Sequence, residues 1–311
     1  MAIIPEASVA IILVNWNGLE FTRACLESLR RVDFPDFRVI LVDNASQNQE
    51  SGRLNREFPE IMLVENQENL GFAGGNNAGI RLALQQGFSH IMLLNNDTEV
   101  EPDFLGEMMI HFSRNPSLGV VQPLILFLND RKKIWNAGGK WVAATGRAVT
   151  LGDREPLADF RVKDMKMDWA TGCCMLISRE ALLKTGLLNE QYFAYFEDVD
   201  WSLRFRKAGF GIVLAERARI YHEAGASSKK AHAEGMLSPK VFYYHVRNQL
   251  FLLRGTLQGF HTLVGCSYHL SRFMLWMGYF LLRGRFQKMK AVANGIRDGL
   301  TTPLEPAPRW P

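Results

Sequence analysis

Four near-continuous apolar runs, each ending in a short polar loop, constrain this chain more than any other feature: "SVAIILVNWNG", "FRVILVDNAS", "IMLVENQENLGFAGGNNAG" and "SHIMLLNNDTEVEPDFL". Runs of this length and apolarity belong to strands buried on both faces. Helical patterns separate them, one running to about Arg31 and another, "AGIRLALQQG", closed by Gly87. Strands alternating with helices predict a parallel, doubly wound α/β sheet. Ligands of such sheets sit beyond the carboxyl ends of the strands, so Asn15 to Asn17, Asp43 to Ser46 and Asn95 to Asp97 are expected to converge.

Beyond residue 129 the alternation fades. Gly and charge dominate up to residue 164, as in a loop or hairpin insertion. "DWATGCCMLISREALLKTG" then reads as strand and helix, "GIVLA" and "ARIYHE" as two short strands, and "AGASSKKAHAEGMLSPK" as a mobile connection. The expected division is a catalytic body over residues 1–225, followed by a mobile segment and an amphipathic helical tail over residues 226–311. A hydrophobic fraction of 47% over 311 residues fills a core without staples. Cys25, Cys173, Cys174 and Cys266 have no metal-site spacing and no signal peptide before them, so reduced, mostly buried thiols in a cytosolic protein are expected. The net charge of +4 is scattered, which argues against a nucleic-acid groove.

The stretch "NEQYFAYFEDVDWSLRFRKAGF" sets Glu197, Asp198 and Asp200 among aromatic residues, where unpaired carboxylates are costly. A helix starting near Asp198 and closed by Gly209 favours acids in its first turn. Three acids exceed what a cap needs, and neighbours one or two apart point to different sides, so one of them is expected in the ligand crevice as a general base. A capping network beneath an aromatic plug fits the same residues. Asn95, Asn96 and Asp97 offer hard oxygen ligands for Mg²⁺ or Mn²⁺ on a phosphate, with His222 as a nitrogen ligand; a polar turn would look the same. Asp43, at a strand end, can accept hydrogen bonds from a ribose or base, or form an ordinary Asx turn. Gly71, Gly74, Gly75 and Gly79 mark a close backbone approach to a ligand or another chain. Neither a G-x-G-x-x-G fingerprint nor a P-loop is present.

Together "VNWNG", "VDNAS", "ENLGFAGGNNAG", "LLNNDTEVEP", "WATGCCMLISRE", "YFAYFEDVDWSLRFRKAGF" and "YHEAGAS", in that order over residues 9 to about 228, resemble glycosyltransferase family 2, and within it the rhamnosyltransferase-like branch. "YYHVRNQL" also resembles a segment of that branch. The resemblance implies an α/β GT-A fold, a Rossmann-like mixed sheet flanked by helices, with a C-terminal helical tail. It implies an inverting transfer from a nucleoside-diphosphate sugar, dTDP-rhamnose first, to a hydroxyl of a glycan or lipid-linked acceptor. Asn15, Trp16 and Asp43 would hold the nucleoside, and Gly74, Gly75, Asn77 and Asn96 would shape the nucleotide-sugar pocket, with Arg247 assisting if the tail folds back. Asp97, with Asn95 and His222, would hold the Mg²⁺ or Mn²⁺. Asp198 matches the catalytic base, and Glu197 and Asp200 would orient it or the acceptor. Many relatives carry Asp-x-Asp where this chain has Asn95 and Asn96. Alternatives are a catalytically silent nucleotide-sugar binding subunit and a sugar nucleotidyltransferase.

In the tail, charged residues and histidines interrupt every window long enough to span a bilayer. Arg272, Trp276, Tyr279 and Arg283 share a helical face, with Leu270, Phe273, Met274, Met277 and Phe280 beside them and Arg285, Lys288 and Lys290 following. This predicts peripheral contact with the inner face of the cell membrane, or packing on the body or a second subunit of a homo-oligomer. A lid over residues 225 to 240 is also expected.

Overall fold

A computed structural model describes residues 8–161, 165–223 and 234–310. The elements run β1 (Val9–Asn15), α1 (Leu19–Leu29), β2 (Phe37–Asp43), α2 (Glu50–Glu57), β3 (Met62–Glu65), α3 (Gly71–Gln85), β4 (His90–Leu94), β5 (Thr98–Val100), α4 (Phe104–Arg114) and β6 (Leu118–Phe127). They continue with β7 (Ile134–Asn136), β8 (Gly139–Val142), β9 (Arg147–Thr150), β10 (Cys174–Ser178), α5 (Arg179–Thr185), α6 (Glu197–Lys207), β11 (Gly211–His222), α7 (Pro239–Thr256), α8 (Phe260–Leu282) and α9 (Phe286–Thr301).

The main sheet has the order β3-β2-β1-β4-β10-β6-β11-β5, with β7 on β6. Successive residues of β1 supply opposite faces: Val9, Ile11 and Leu13 enter one core cluster, Ala10 and Ile12 the other. The strands β3, β2, β1 and β4 are parallel, as the sequence predicts. The sheet as a whole is mixed, because β10 runs antiparallel to both β4 and β6. A strand reached through a long insertion, without a helical crossover, is free of the parallel constraint.

Two local readings are corrected. "GIVLA" and "ARIYHE" form one strand, β11, whose register to β6 jumps between Ala215 and Arg219, so the charged interruption is an irregularity inside a continuous strand. The Gly-rich segment is the first half of α3. A Cβ at Gly75 would meet Val14 at 2.9 Å, and one at Gly79 would meet Ile12 at 2.6 Å. The close approach is to the chain's own β1, which lets α3 lie flat on the sheet.

Along the tail, α7, α8 and α9 share a core of Val246, Leu250, Leu253, Phe273, Phe280 and Val292. Phe251 and Leu252 of α7 face the other way, packing with Trp169, Tyr192 and Val199 of the body. Leu270, Phe273, Trp276, Met277 and Phe280 of α8 pack within this tail core, so the stripe expected at a lipid surface is largely covered by protein. Of the expected stripe's apolar and aromatic residues only Met274 and Tyr279 stand exposed, and the other exposed apolar residues of α8 are Phe260, Leu263, Leu275, Leu281 and Leu282. Lys288 is buried and donates to the Glu234 carbonyl, which removes it from the basic set facing outward. Among the described residues no helix is long and apolar enough to cross a membrane. Most of the expected lid, residues 224–233, lies outside the described residues.

Candidate active site

The ends of β1 and β2 meet as expected. Buried Asn15 donates through Nδ2 to Asp43 Oδ1 (3.1 Å), Ser46 Oγ (3.0 Å) and Glu50 Oε2 (2.9 Å). Its Oδ1 accepts from Thr22, whose hydroxyl in turn accepts from Asn96 Nδ2 at 2.8 Å. Asp43 Oδ2 takes the N–H of Ser46, and Glu50 Oε2 takes the N–H of Gly18. Asn15 therefore spends its hydrogen-bonding capacity on shaping the loops, and Asn96 gives them one amide hydrogen. Trp16 stands 52% exposed at the end of β1, free to stack on a planar base. Glu50, a buried acid in this network, was not singled out from the sequence; its contact to Gly18 spans 32 residues.

Asn77 is also turned to the scaffold: buried in α3, it exchanges hydrogen bonds with the backbone of Leu188 and donates to Glu190. Gly74 faces Leu70 and Gly75 faces Val14 and Asn44. The network near Asp43 and the joint between α3 and the 187–190 loop are thus distinct.

Asp97 and His222 come together, because β5 pairs antiparallel with the end of β11 in a register that sets His222 beside Thr98. His222 Nε2 lies 3.2 Å from Asp97 Oδ1. The contact is not a hydrogen bond, and neither buried imidazole nitrogen has a hydrogen-bond partner. A buried imidazole left without partners beside a carboxylate fits a cation ligand pair. Among the described residues no cluster of three or more His, Cys, Asp or Glu forms a complete metal cage, so further ligands would have to come from Asn95, a bound diphosphate or water.

The three acids separate as their spacing dictates. The helix α6 starts at Glu197, after Phe196 in the left-handed conformation (φ 70°). Asp200 Oδ2 pairs with Arg204 Nε at 2.8 Å, and Arg204 also donates to the carbonyls of Thr185 and Leu187. This i,i+4 pair serves the helix and the loop beneath it, with the Asp200 carboxylate engaged by Arg204. Glu197 is buried with Oε2 unpartnered, and burial, reinforced by Asp198, holds its carboxyl well above the usual range. Asp198 is half-buried: Oδ2 accepts from Gly172 N at 2.9 Å and Oδ1 from Val199 N at 2.8 Å. Burial raises its carboxyl, while these N–H groups pull the other way. The next residue, Cys173, accepts through its carbonyl the N–H of Asn95, at the end of β4. Asn95, two residues before Asp97, and Asp198 are accordingly tied to the same short segment.

The loop before α6 is strained, with Phe193, Tyr195 and Phe196 all at positive φ (64°, 72° and 70°). Its brace comes from α7. Asn248 Nδ2 donates to the carbonyls of Tyr192, Ala194 and Tyr195 at 2.7–2.9 Å. Arg247 Nη2 donates to the Gln191 and Tyr192 carbonyls, with its guanidinium 4.9 Å from the Tyr244 ring. Arg247 thus holds the acid loop through these carbonyls. Tyr195 stacks on His245 at 4.4 Å. The signal for this brace was "YYHVRNQL", but which loop it serves was not legible.

Comparison with known proteins agrees with this architecture. A chain from Mycobacterium tuberculosis named N-acetylglucosaminyl-diphospho-decaprenol L-rhamnosyltransferase is 25% identical over 244 residues, covering 72% of this chain and 77% of that protein. The dTDP-rhamnosyl transferase RfbF of Shigella flexneri is 23% identical over 252 residues, covering 80% and 81%. The solved structure of S. aureus TarS 1-349 superposes with a TM-score of 0.55 at 15% identity over 94% of this chain and 81% of that one, a likeness of fold alone. The fold is that of the GT-A glycosyltransferases. Residues 10–186, more than half the chain, match the glycosyl transferase family 2, and the protein is a glycosyltransferase belonging to that family.

Proposed function

We propose that this glycosyltransferase moves a sugar, with inversion, from a nucleoside-diphosphate donor to a hydroxyl of a glycan or lipid-linked acceptor, and that the donor is dTDP-rhamnose. The observation that supports the reading is the attachment of Asn95, two residues before Asp97, and of Asp198 to the same segment, residues 172–173, with the charges of both acids felt at Cys173. The donor choice draws on the relatives named as rhamnosyltransferases.

Asp198 sits in the first turn of α6, where the helix N-terminus favours its ionised form, and its two N–H contacts fix the carboxylate. It takes the proton of the acceptor hydroxyl as that oxygen attacks the anomeric carbon opposite the departing nucleoside diphosphate. Asp97 and His222, with Asn95 beside them, would hold a divalent cation. When bound, the cation offsets charge on the leaving phosphate, a contribution of several kcal/mol, roughly. Trp16 and the Asn15–Asp43–Glu50 network form the nucleoside end of the site.

A panel of nucleotide sugars tested by thermal unfolding, with and without Mn²⁺ or Mg²⁺, checks this reading. A ligand at a hundred times its Kd adds about 2.7 kcal/mol. dTDP-rhamnose with cation should raise the midpoint most, and EDTA should abolish the gain. Stabilisation by no nucleotide sugar would overturn the reading, and release of diphosphate from a nucleoside triphosphate would identify a nucleotidyltransferase instead.

A further inference from the structure

A concave site of about 190 Å³ lies where the β8–β9 hairpin, α7 and α8 meet the acid loop. Its volume falls below the roughly 300–1,000 Å³ of pockets that enclose whole ligands, so it suits one moiety of a larger molecule. Arg147 and Arg272 line it, with no Asp or Glu among the lining residues. Among the described residues neither arginine makes an ion pair, so both charges are left for a ligand. His269 Nε2 donates to the Thr145 carbonyl at 3.1 Å, leaving Nδ1 to accept from Arg272 Nη1 at 3.4 Å, a contact that aligns the guanidinium without neutralising it. His245 and His269 are held neutral, burial pushing each down to about 4. The site's net charge is therefore that of its two arginines.

Phe196 forms one wall and stands two residues before Asp198. Trp276 and Phe273 form the opposite, apolar side. These two belong to α8, whose outward face carries Phe260, Leu263, Met274, Leu275, Leu281 and Leu282. At 3.6 residues per turn Ser267, Ser271 and Gly278 complete that face, leaving it without charge. A paired-arginine site thus lies beside the acid loop, against the inner side of a helix whose outward face is uncharged.

We propose that this site takes the phosphate or diphosphate group of the acceptor, holding it on Arg147 and Arg272 while the hydroxyl to be glycosylated reaches Asp198. Two guanidiniums offer a phosphate charge-assisted hydrogen bonds. The aromatic side covers the first carbons beyond the phosphate. The proposal rests on the transferase reading, and it narrows the acceptor to a phosphorylated one.

The test is binding of geranyl diphosphate, with geraniol as the neutral control, to the full chain whose donor site is saturated with dTDP. Arg147 is exposed and makes no contact that folding needs, so Arg147→Gln leaves the fold intact; Arg272→Gln is the second variant. Each should weaken geranyl diphosphate binding about tenfold, with dTDP affinity unchanged within about twofold and geraniol not bound. Equal affinity in wild type and both variants, or no binding at all, overturns the proposal. Loss of binding to phosphatidylglycerol vesicles in Arg147→Gln, with geranyl diphosphate binding intact, assigns the arginines to bilayer headgroups and also overturns it. Failure of dTDP and UDP to bind strikes the transferase reading, while arginine-dependent geranyl diphosphate binding would still establish the phosphate site.

Discussion

The backbone N–H of Gly172 donates to Asp198 Oδ2 at 2.9 Å, and this contact joins the acid-bearing helix to the segment that also anchors the end of β4. Replacing Asp198 by Asn preserves an acceptor for that N–H but removes the carboxylate proposed as base. The expected result is a fall in kcat of about 10²–10⁴ with donor binding intact, measured by turnover and by nucleotide titration. In the wild type, burial raises the Asp198 carboxyl, so activity should climb with pH along an acid limb centred above the ordinary aspartate range. A limb at the ordinary value, or undiminished turnover by D198N, would remove Asp198 from the chemistry.

Glu197 gives a stability prediction with a definite sign. Its folded pKa is raised by burial and by Asp198, so the neutral form is favoured in the folded state. That stability is fully present below the unfolded-state pKa, near 4.3, and is lost as pH rises towards the folded value. Glu197→Gln should therefore unfold at a higher temperature than wild type at pH 8, by roughly 2–4 °C for each kcal/mol recovered, and the gain should vanish near pH 4. Thermal scans across pH decide it; a gain at every pH would mean that packing, not ionisation, governs the site.

Asn248 braces the loop that leads to Asp198. Removing its amide leaves the carbonyls of Tyr192, Ala194 and Tyr195 without that donor, in a segment already carrying three residues at positive φ. Asn248→Ala should cost roughly 2–4 kcal/mol of stability. It should also lower kcat at least about tenfold while KM for the donor holds, because the β1 and β2 loops are untouched. A rise in donor KM with kcat unchanged would place Asn248 on the nucleotide side instead.

Much of the body was legible because period and burial coincide: the alternation along β1 supplies both cores, and the polar residues at its end converge with those of β2. The acid stretch was legible as an anomaly, and its spacing even contained the Asp200–Arg204 pair, which an i,i+4 reading would have found. What sequence spacing did not carry were contacts between distant segments. Glu50 reaches Gly18 across 32 residues, and Asn248 reaches Tyr195 across 53. The direction of β10 and the continuity of β11 depend on sheet partners, which local pattern does not name. For α8 the periodicity defined its faces, but which face α7 and α9 would cover followed from their packing.

That packing yields the last prediction. Leu275 and Leu282 are 73% and 88% exposed on the uncharged face of α8, with Arg283 and Arg285 following at its end. Burying a leucine is worth about 1.5–3 kcal/mol, and basic residues beside such a face add attraction to anionic headgroups. The wild type should therefore sediment with phosphatidylglycerol vesicles, more weakly as salt rises, and the double variant Leu275→Glu with Leu282→Glu should bind at least about tenfold less. Because both side chains already stand in solvent, the variant should keep its unfolding temperature. If the wild type ignores vesicles but is a dimer by light scattering that the double variant breaks, the face belongs to a second copy of the chain, and the membrane assignment falls.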